Sequence, residues 1–208
     1  MSAATLFHAE VARFQEWAAG IPVDMRLGEW ECDYSDWGPL LKAAELLLQT
    51  VPVGTWTDAM VKDFLYALAR DNEAEFIACE LASRSETLLL LAAQAIRSDE
   101  PDAKWQIAVQ LGDLHGSAQE AEALLIHLVQ DVDEYVSRRA LGALGKLKSV
   151  STEAFAERAW RTGHEYQRIA ALWALKDVGS SKLCDYLRQA EEDGREYVVR
   201  NAKEILAA

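Results

Sequence analysis

Histidine, cysteine and carboxylate side chains are the residues of this chain whose types could support catalysis or bind a metal. The four histidines are His8, His115, His127 and His164, and no two of them form an HExxH motif or stand four residues apart. The dipeptide His164-Glu165 is a single potential ligand pair, and a surface position beside a helix start explains it better. We therefore predict no metal site and no cofactor.

The other nucleophiles and motifs do not indicate an enzyme either. Cys32, Cys79 and Cys184 are odd in number and widely spaced, which predicts reduced thiols packed among helices rather than disulfides or a CxxC centre. The chain contains no Gly-x-Ser-x-Gly elbow, glycine-rich phosphate loop or dinucleotide fingerprint. We predict a non-catalytic protein in the cytoplasm, and the start of the sequence does not have the pattern of a secretory signal.

Aromatic and acidic residues alternate in the stretch from Ile21 to Asp36, which also contains Pro22 and Gly28. We predict an extended connection there between the first two helices, and long connections are often functional. Its candidate partner-binding residues are Glu29, Trp30, Glu31, Asp33, Tyr34 and Asp36. They suit contact with a basic surface, or the aromatic rings fold back to cap the end of the molecule while the acids face outward.

The net charge of −13 is distributed unevenly along the chain. Residues 1–100 carry 17 acidic and 7 basic side chains, whereas residues 101–208 carry 17 and 14. An acidic surface opposes nucleic-acid binding, which requires phosphate neutralisation, and it favours a protein partner with a basic surface. Apolar stretches such as Leu88 to Ala93 are too short to span a bilayer, so we predict no membrane contact.

A repeat of 31 residues organises the C-terminal part of the chain. Its successive copies begin at Glu134-Tyr135, Glu165-Tyr166 and Glu196-Tyr197, and an alanine and a leucine follow each tyrosine at fixed distances. Gly163 and Gly194 stand where the first helices of two repeats should end. Asp131 or Asp133 can cap the second helix that begins at Glu134. Each repeat is therefore predicted to be a helix, a short turn and a second helix.

Upstream segments extend this helical pattern less regularly. Residues 101–112 align with the Glu134 copy at an offset of 33, and further helices are predicted over residues 3–19, 35–50, 56–70, 73–83 and 85–97. We expect an all-α fold, an α-solenoid of antiparallel helix pairs with about ten to twelve helices. Residues 1–84 form an N-terminal cap or divergent repeats with the loop at 21–36, and residues 85–208 form one continuous solenoid.

The run from Asp133 to Gly145, DEYVSRRALGALG, resembles the second helix of a HEAT-type repeat. The resemblance is clear over residues 85–208 and loose before them. It implies a right-handed solenoid whose second helices line a concave surface, and it implies no single activity. The segments 165–175 and 190–202 are also similar to small bacterial HEAT-repeat proteins, some of which serve as immunity partners that block a toxin.

The repeated Glu-Tyr pairs allow two interpretations. Tyr135, Tyr166 and Tyr197 form a ladder on the concave surface, flanked by Glu134, Glu165 and Glu196, or each tyrosine plugs the junction between repeats. We favour the second, because regular recurrence suits structure better than recognition. The function predicted is a protein-binding scaffold, most specifically an antitoxin-type immunity protein that occludes a basic toxin domain. The alternative is an enzyme or enzyme accessory on the same solenoid, of the lyase or DNA-glycosylase type.

Overall fold

Twelve α-helices make up the fold in the computed structural model, which describes residues 1–26, 30–114 and 116–207. No β-strand occurs within these ranges. The predicted all-α fold class is therefore confirmed. The helices are α1 Ala3–Ala19, α2 Trp37–Thr50, α3 Asp58–Arg70, α4 Phe76–Ala82, α5 Ser85–Ala95, α6 Pro101–Leu111, α7 Ala118–Leu128, α8 Glu134–Lys146, α9 Thr152–Arg161, α10 Glu165–Asp177, α11 Leu183–Asp193 and α12 Glu196–Ala207.

The chain divides into two compact units, Met1–Gln106 and Ile107–Ala208. The division falls inside α6 and concerns spatial compactness. The predicted segments 1–84 and 85–208 concern repeat character, so that boundary stays a prediction.

In the first unit, α1 packs against α2 and α3, and α2 packs against α4. Phe7, Phe14, Leu47 and Phe64 are among its fully buried side chains. The helix predicted from Ser35 begins instead at Trp37, because residues 30–33 form a separate 3₁₀ turn whose neighbouring rings pack inward. The connection predicted to be extended also contains a 3₁₀ turn at Val23–Met25.

In the second unit, the first helices α7, α9 and α11 each pack against the helix that follows, and the second helices α8, α10 and α12 pack in order against one another. This is the stacked helix-pair arrangement of an α-solenoid. Gly163 and Gly194 have φ angles of +73° and +74°, as predicted for glycines that end a helix. The Asp133 Oδ1 atom accepts hydrogen bonds from the backbone N–H groups of Tyr135 and Val136 at 2.9 and 3.0 Å, so this aspartate caps α8.

Two glycines bring the second helices close together. A Cβ atom added to Gly112 would lie 2.9 Å from the Cα atom of Ala143, and one added to Gly145 would lie 3.2 Å from the Cα atom of Ala174. Glycine lets backbones approach where any side chain would intervene. The spacing of α6, α8 and α10 within this unit therefore depends on these two positions.

Candidate functional site

The segment from Trp30 to Trp37 is held against α1 by an aromatic cluster. The Trp17 and Trp30 rings stack with centroids 5.6 Å apart at 7°, and Phe14 contacts Tyr34 edge-on at 4.7 Å. The Trp37 indole N–H donates to the Glu31 carbonyl oxygen at 2.9 Å. Such ring pairs add to the free energy of simple burial, so this segment has a defined conformation.

The acidic residues of that segment divide between the interior and the surface. Glu31 is 4 % exposed, with Oε1 3.9 Å from Arg70 Nη1, and burial raises the pKa of its carboxyl group above the usual range. Asp33 and Asp36 are exposed. The Trp30–Trp37 segment therefore presents Asp33 and Asp36 to the outside while Glu31 and Tyr34 face inward.

A cavity of about 270 Å³ lies beside this segment and is lined by Cys32, Trp37, Arg70, Asp71 and Glu73. Cys32 Sγ donates to Glu73 Oε2 at 2.5 Å. Asp71 accepts a hydrogen bond from the backbone N–H of Ile77 at 2.8 Å, and burial raises the pKa of Asp71 to about 6. The hydrogen bond orders the start of α4, so Asp71 has a structural role in this wall of the cavity.

The second helices of the second unit carry an exposed surface of tyrosine and arginine, here called the Tyr–Arg surface, made of Tyr135, Arg138, Tyr166, Tyr197 and Arg200. The three tyrosines are 37 %, 47 % and 44 % exposed in chain order. The Arg138 guanidinium lies 4.4 Å from the Tyr135 ring centroid and 5.1 Å from that of Tyr166, and Arg200 lies 5.0 Å from that of Tyr197. Each tyrosine ring therefore contacts an arginine guanidinium group while it remains partly exposed.

Polar contacts below this surface connect consecutive repeats. The Gln167 side-chain amide donates to the Glu134 carbonyl oxygen at 3.2 Å and to Ser137 Oγ at 2.8 Å. Glu134 also accepts from Arg138 Nε at 3.1 Å within α8. Each acidic residue of a Glu-Tyr pair lies in the first turn of its helix, where a negative charge is favourable.

A groove of about 260 Å³, here called the Gly142 groove, runs along the same face of the second unit. Gly142, Ala143 and Ala170 form its small-residue part, and Arg138, Arg139 and Lys146 line it with cationic groups. Lys146 pairs with Asp113 at 3.0 Å and remains about half exposed. Three cationic groups thus line the groove on a chain whose net charge is −13, and two of them pair with carboxylates.

The repeats of the second unit match a known family of repeats. Residues 124–207 match the family model for HEAT repeats. The match begins within α7 and covers less than half of the chain. No curated protein matches the chain significantly.

The HEAT match covers half of the predicted site residues. Glu134, Tyr135, Glu165, Tyr166, Glu196 and Tyr197 all lie on second helices of the matched repeats. All three tyrosine rings are substantially exposed, and the role that we favoured for them, as plugs of the repeat junctions, stays a prediction. The junction is nevertheless bridged at one of these positions, through Arg138 between Tyr135 and Tyr166.

The other predicted site residues lie outside the HEAT match. Glu29 falls outside the described residues. Glu31 and Tyr34 are buried against α1 and its neighbours, so we leave them out of the proposed contact surface. Trp30 is half-buried in its stack with Trp17, and Asp33 and Asp36 are exposed. The expected packing of the cysteines among helices was wrong, since the side chains of Cys32, Cys79 and Cys184 are exposed.

The Gly142 groove is the feature that the sequence analysis missed. Arg138 and Arg200 occupy equivalent repeat positions, and this column was visible in the sequence without indicating that the guanidinium groups stack on tyrosine rings. The cationic character of the groove depends on Arg139 and Lys146, which belong to different turns of α8 and both line the groove. Helical periodicity places these two residues on the same face of α8, but it does not reveal that this face is concave.

Metal binding and membrane insertion are two further possibilities for the part of the chain that the structure describes. No group of three or more His, Cys, Asp or Glu residues is arranged to hold a metal ion there. None of the described helices has the length and apolar composition needed to cross a bilayer.

Proposed function

We propose that this chain is a non-catalytic scaffold that binds another protein. The observation that carries the proposal is the Tyr–Arg surface on second helices of matched HEAT repeats, which generally mediate protein–protein interaction. Tyrosine and arginine contribute disproportionately to binding free energy because they provide contact area and hydrogen bonds at small entropic cost.

The partner proposed for the first unit has a basic surface. Asp33 and Asp36 are exposed on the Trp30–Trp37 segment, which the aromatic cluster holds in place. The acidic excess of residues 1–100 produces an electrostatic field that attracts cations. Such a field accelerates encounter, and neighbouring half-buried rings such as Trp37 can add apolar contact. Steric occlusion of the partner is the mechanism that this arrangement supports.

The most specific form of the proposal is a cytoplasmic bacterial immunity protein that covers the basic active site of a toxin. Its support is the resemblance of the C-terminal repeats to small bacterial HEAT-repeat proteins, together with the acidic charge. The three cysteines form no disulfide, which agrees with a reducing compartment. A direct test co-expresses this chain with the product of the gene encoded immediately upstream: protection of growth from a toxic product supports immunity, and continued killing or a non-toxic product contradicts it.

Charge reversal tests the wider proposal of a basic partner. The double variant Asp33→Lys/Asp36→Lys should lose a basic protein that co-purifies with the wild type from the source cells. The matched control is Glu16→Lys/Glu86→Lys, which makes the same charge change at exposed positions of α1 and α5. Recovery of the same protein in equal amount with all three baits would contradict a contact at Asp33 and Asp36.

Duplex DNA provides a second check, since it distinguishes the scaffold from a glycosylase-like enzyme. The acidic chain should not bind duplex DNA at moderate salt, because few phosphates can be neutralised. Tight binding under those conditions would overturn the proposal of a basic protein partner.

A further inference from the structure

The Gly142 groove contains a glycine that the packing of the repeats does not require. Gly142 lies inside α8, where glycine costs about 1 kcal/mol relative to alanine. A Cβ atom added there would meet nothing within 4 Å, in contrast to Gly112 and Gly145. The repeat-equivalent positions, at offsets of 33 and 31, hold Val109 and Trp173. The repeat therefore accepts large side chains here, and glycine leaves an open depression.

The lining of this depression contains more cations than carboxylates, although the whole chain is acidic. Arg138, Arg139 and Lys146 line the groove together with a single carboxylate, Asp177. The Arg138 guanidinium group contacts both the Tyr135 ring and the Tyr166 ring, so its position is restricted before any ligand binds. A restricted side chain loses less conformational entropy on binding.

The ion pairs already present do not block an incoming anion. Arg138 pairs with Glu134 at 3.1 Å on its own helix, and Lys146 pairs with Asp113 at 3.0 Å. Such pairs at or near the surface contribute little free energy, about 1 kcal/mol or less, and each of these two cations retains further N–H donors. A carboxylate from a ligand can therefore join these pairs or replace their partners.

We propose that the Gly142 groove binds an acidic peptide segment of a partner protein, with one Asp or Glu side chain lying over Gly142 and its carboxylate paired with the surrounding cations. This site lies in the second unit and its lining is richer in cations than in carboxylates, whereas the acidic surface proposed above lies in the first unit. A peptide is favoured over nucleic acid because the groove is short and the chain is strongly acidic, so a long polyanion would be repelled outside the groove.

The test uses a fluorescein-labelled peptide of alternating Asp and Glu residues, with binding to the full chain followed by fluorescence anisotropy at low ionic strength. Gly142→Leu fills the depression, and Arg139→Gln removes a cation. Each should weaken binding about tenfold or more, whereas Arg188→Gln, which removes an exposed cation of α11, should change it less than about twofold. Gly142→Ala should have an intermediate effect.

Several results would overturn the proposal. These are absence of binding by the wild type, equal weakening by Arg139→Gln and Arg188→Gln, or tighter binding of a single-stranded oligonucleotide of the same charge. Circular dichroism confirms that each variant is folded, and Arg139→Gln decides the outcome if Gly142→Leu is not. Asp33→Lys/Asp36→Lys should leave peptide affinity unreduced, so failure of the basic-partner proposal is distinguishable from failure of this one.

Discussion

Replacing two glycines of α8 separately by alanine measures how closely the second helices of neighbouring repeats approach. Gly142→Ala and Gly145→Ala lie three residues apart in one helix, so both gain helix propensity of up to about 1 kcal/mol. At Gly142 the new methyl group meets open space, and we expect a stabilisation of that size. At Gly145 it lies 3.2 Å from the Cα atom of Ala174 and 3.3 Å from the Cβ atom of Asp177, so α10 must shift.

The difference between these two variants isolates that clash. Overpacking costs about 1–3 kcal/mol, so Gly145→Ala should be less stable than Gly142→Ala by about that amount. Urea unfolding followed by far-UV circular dichroism gives the free energies, and an unchanged slope confirms that the unfolded states are comparable. Gly112→Ala should be affected most, because its methyl group would lie 2.9 Å from Ala143 Cα.

The reasoning about close approach is refuted if Gly145→Ala is as stable as Gly142→Ala. The same result would also weaken the argument that Gly142 differs from the other glycines of the second unit. A stabilised Gly142→Ala variant would show that glycine at this position is not there for folding.

The remaining predictions concern buried charges and the aromatic cluster. Arg195 and Arg168 hold the pKa of Asp193 well below its usual range, so its contribution to stability is present above about pH 4 and is lost as the pH falls below that. Asp193→Asn should cost about 2 kcal/mol in urea unfolding at neutral pH, against about 0.5 for the exposed Asp185→Asn. Burial raises the pKa of Asp71 to about 6, so its effect on stability has the opposite pH dependence. The free energy of unfolding should rise by about 1 kcal/mol as the pH falls from 7.5 to 5, and Asp71→Asn should remove this increment. Its carboxyl ¹³C resonance should titrate near pH 6, and a midpoint near 4 would contradict burial as the cause. Phe14→Ala should cost about 3–5 kcal/mol and abolish the near-UV circular dichroism of the stacked Trp17 and Trp30 rings; an unchanged near-UV spectrum would show that Phe14 does not support them.

The fold could be predicted well where the sequence repeats. The 31-residue offset aligns the helices of residues 124–207, and the capping roles of Asp133, Gly163 and Gly194 follow from local backbone chemistry. Local rules were less reliable upstream. The start of α2 was displaced by two residues because the rings of Trp30 and Tyr34 pack on Phe14, a contact between segments distant in sequence.

The candidate sites were predicted less completely, for a different physical reason. Composition gives the sum of the charges, and −13 indicates an acidic protein, whereas binding depends on which charges share a surface. Glu31 counts toward the acidic total but lies buried beside Arg70, while three cations converge at Gly142. Tertiary packing determines which charges are buried and which share a surface, and a count of charges along the sequence does not show this.

The placement of Arg138 between Tyr135 and Tyr166 has a consequence for how the stack unfolds. This side chain belongs to one repeat and half of its ring contacts belong to the next, so melting either repeat removes the contact from both. In a linear array such shared contacts are nearest-neighbour coupling energies, which determine whether repeats fray one at a time or melt together. Arg138→Ala should therefore broaden the unfolding transition of the second unit more than it lowers its midpoint.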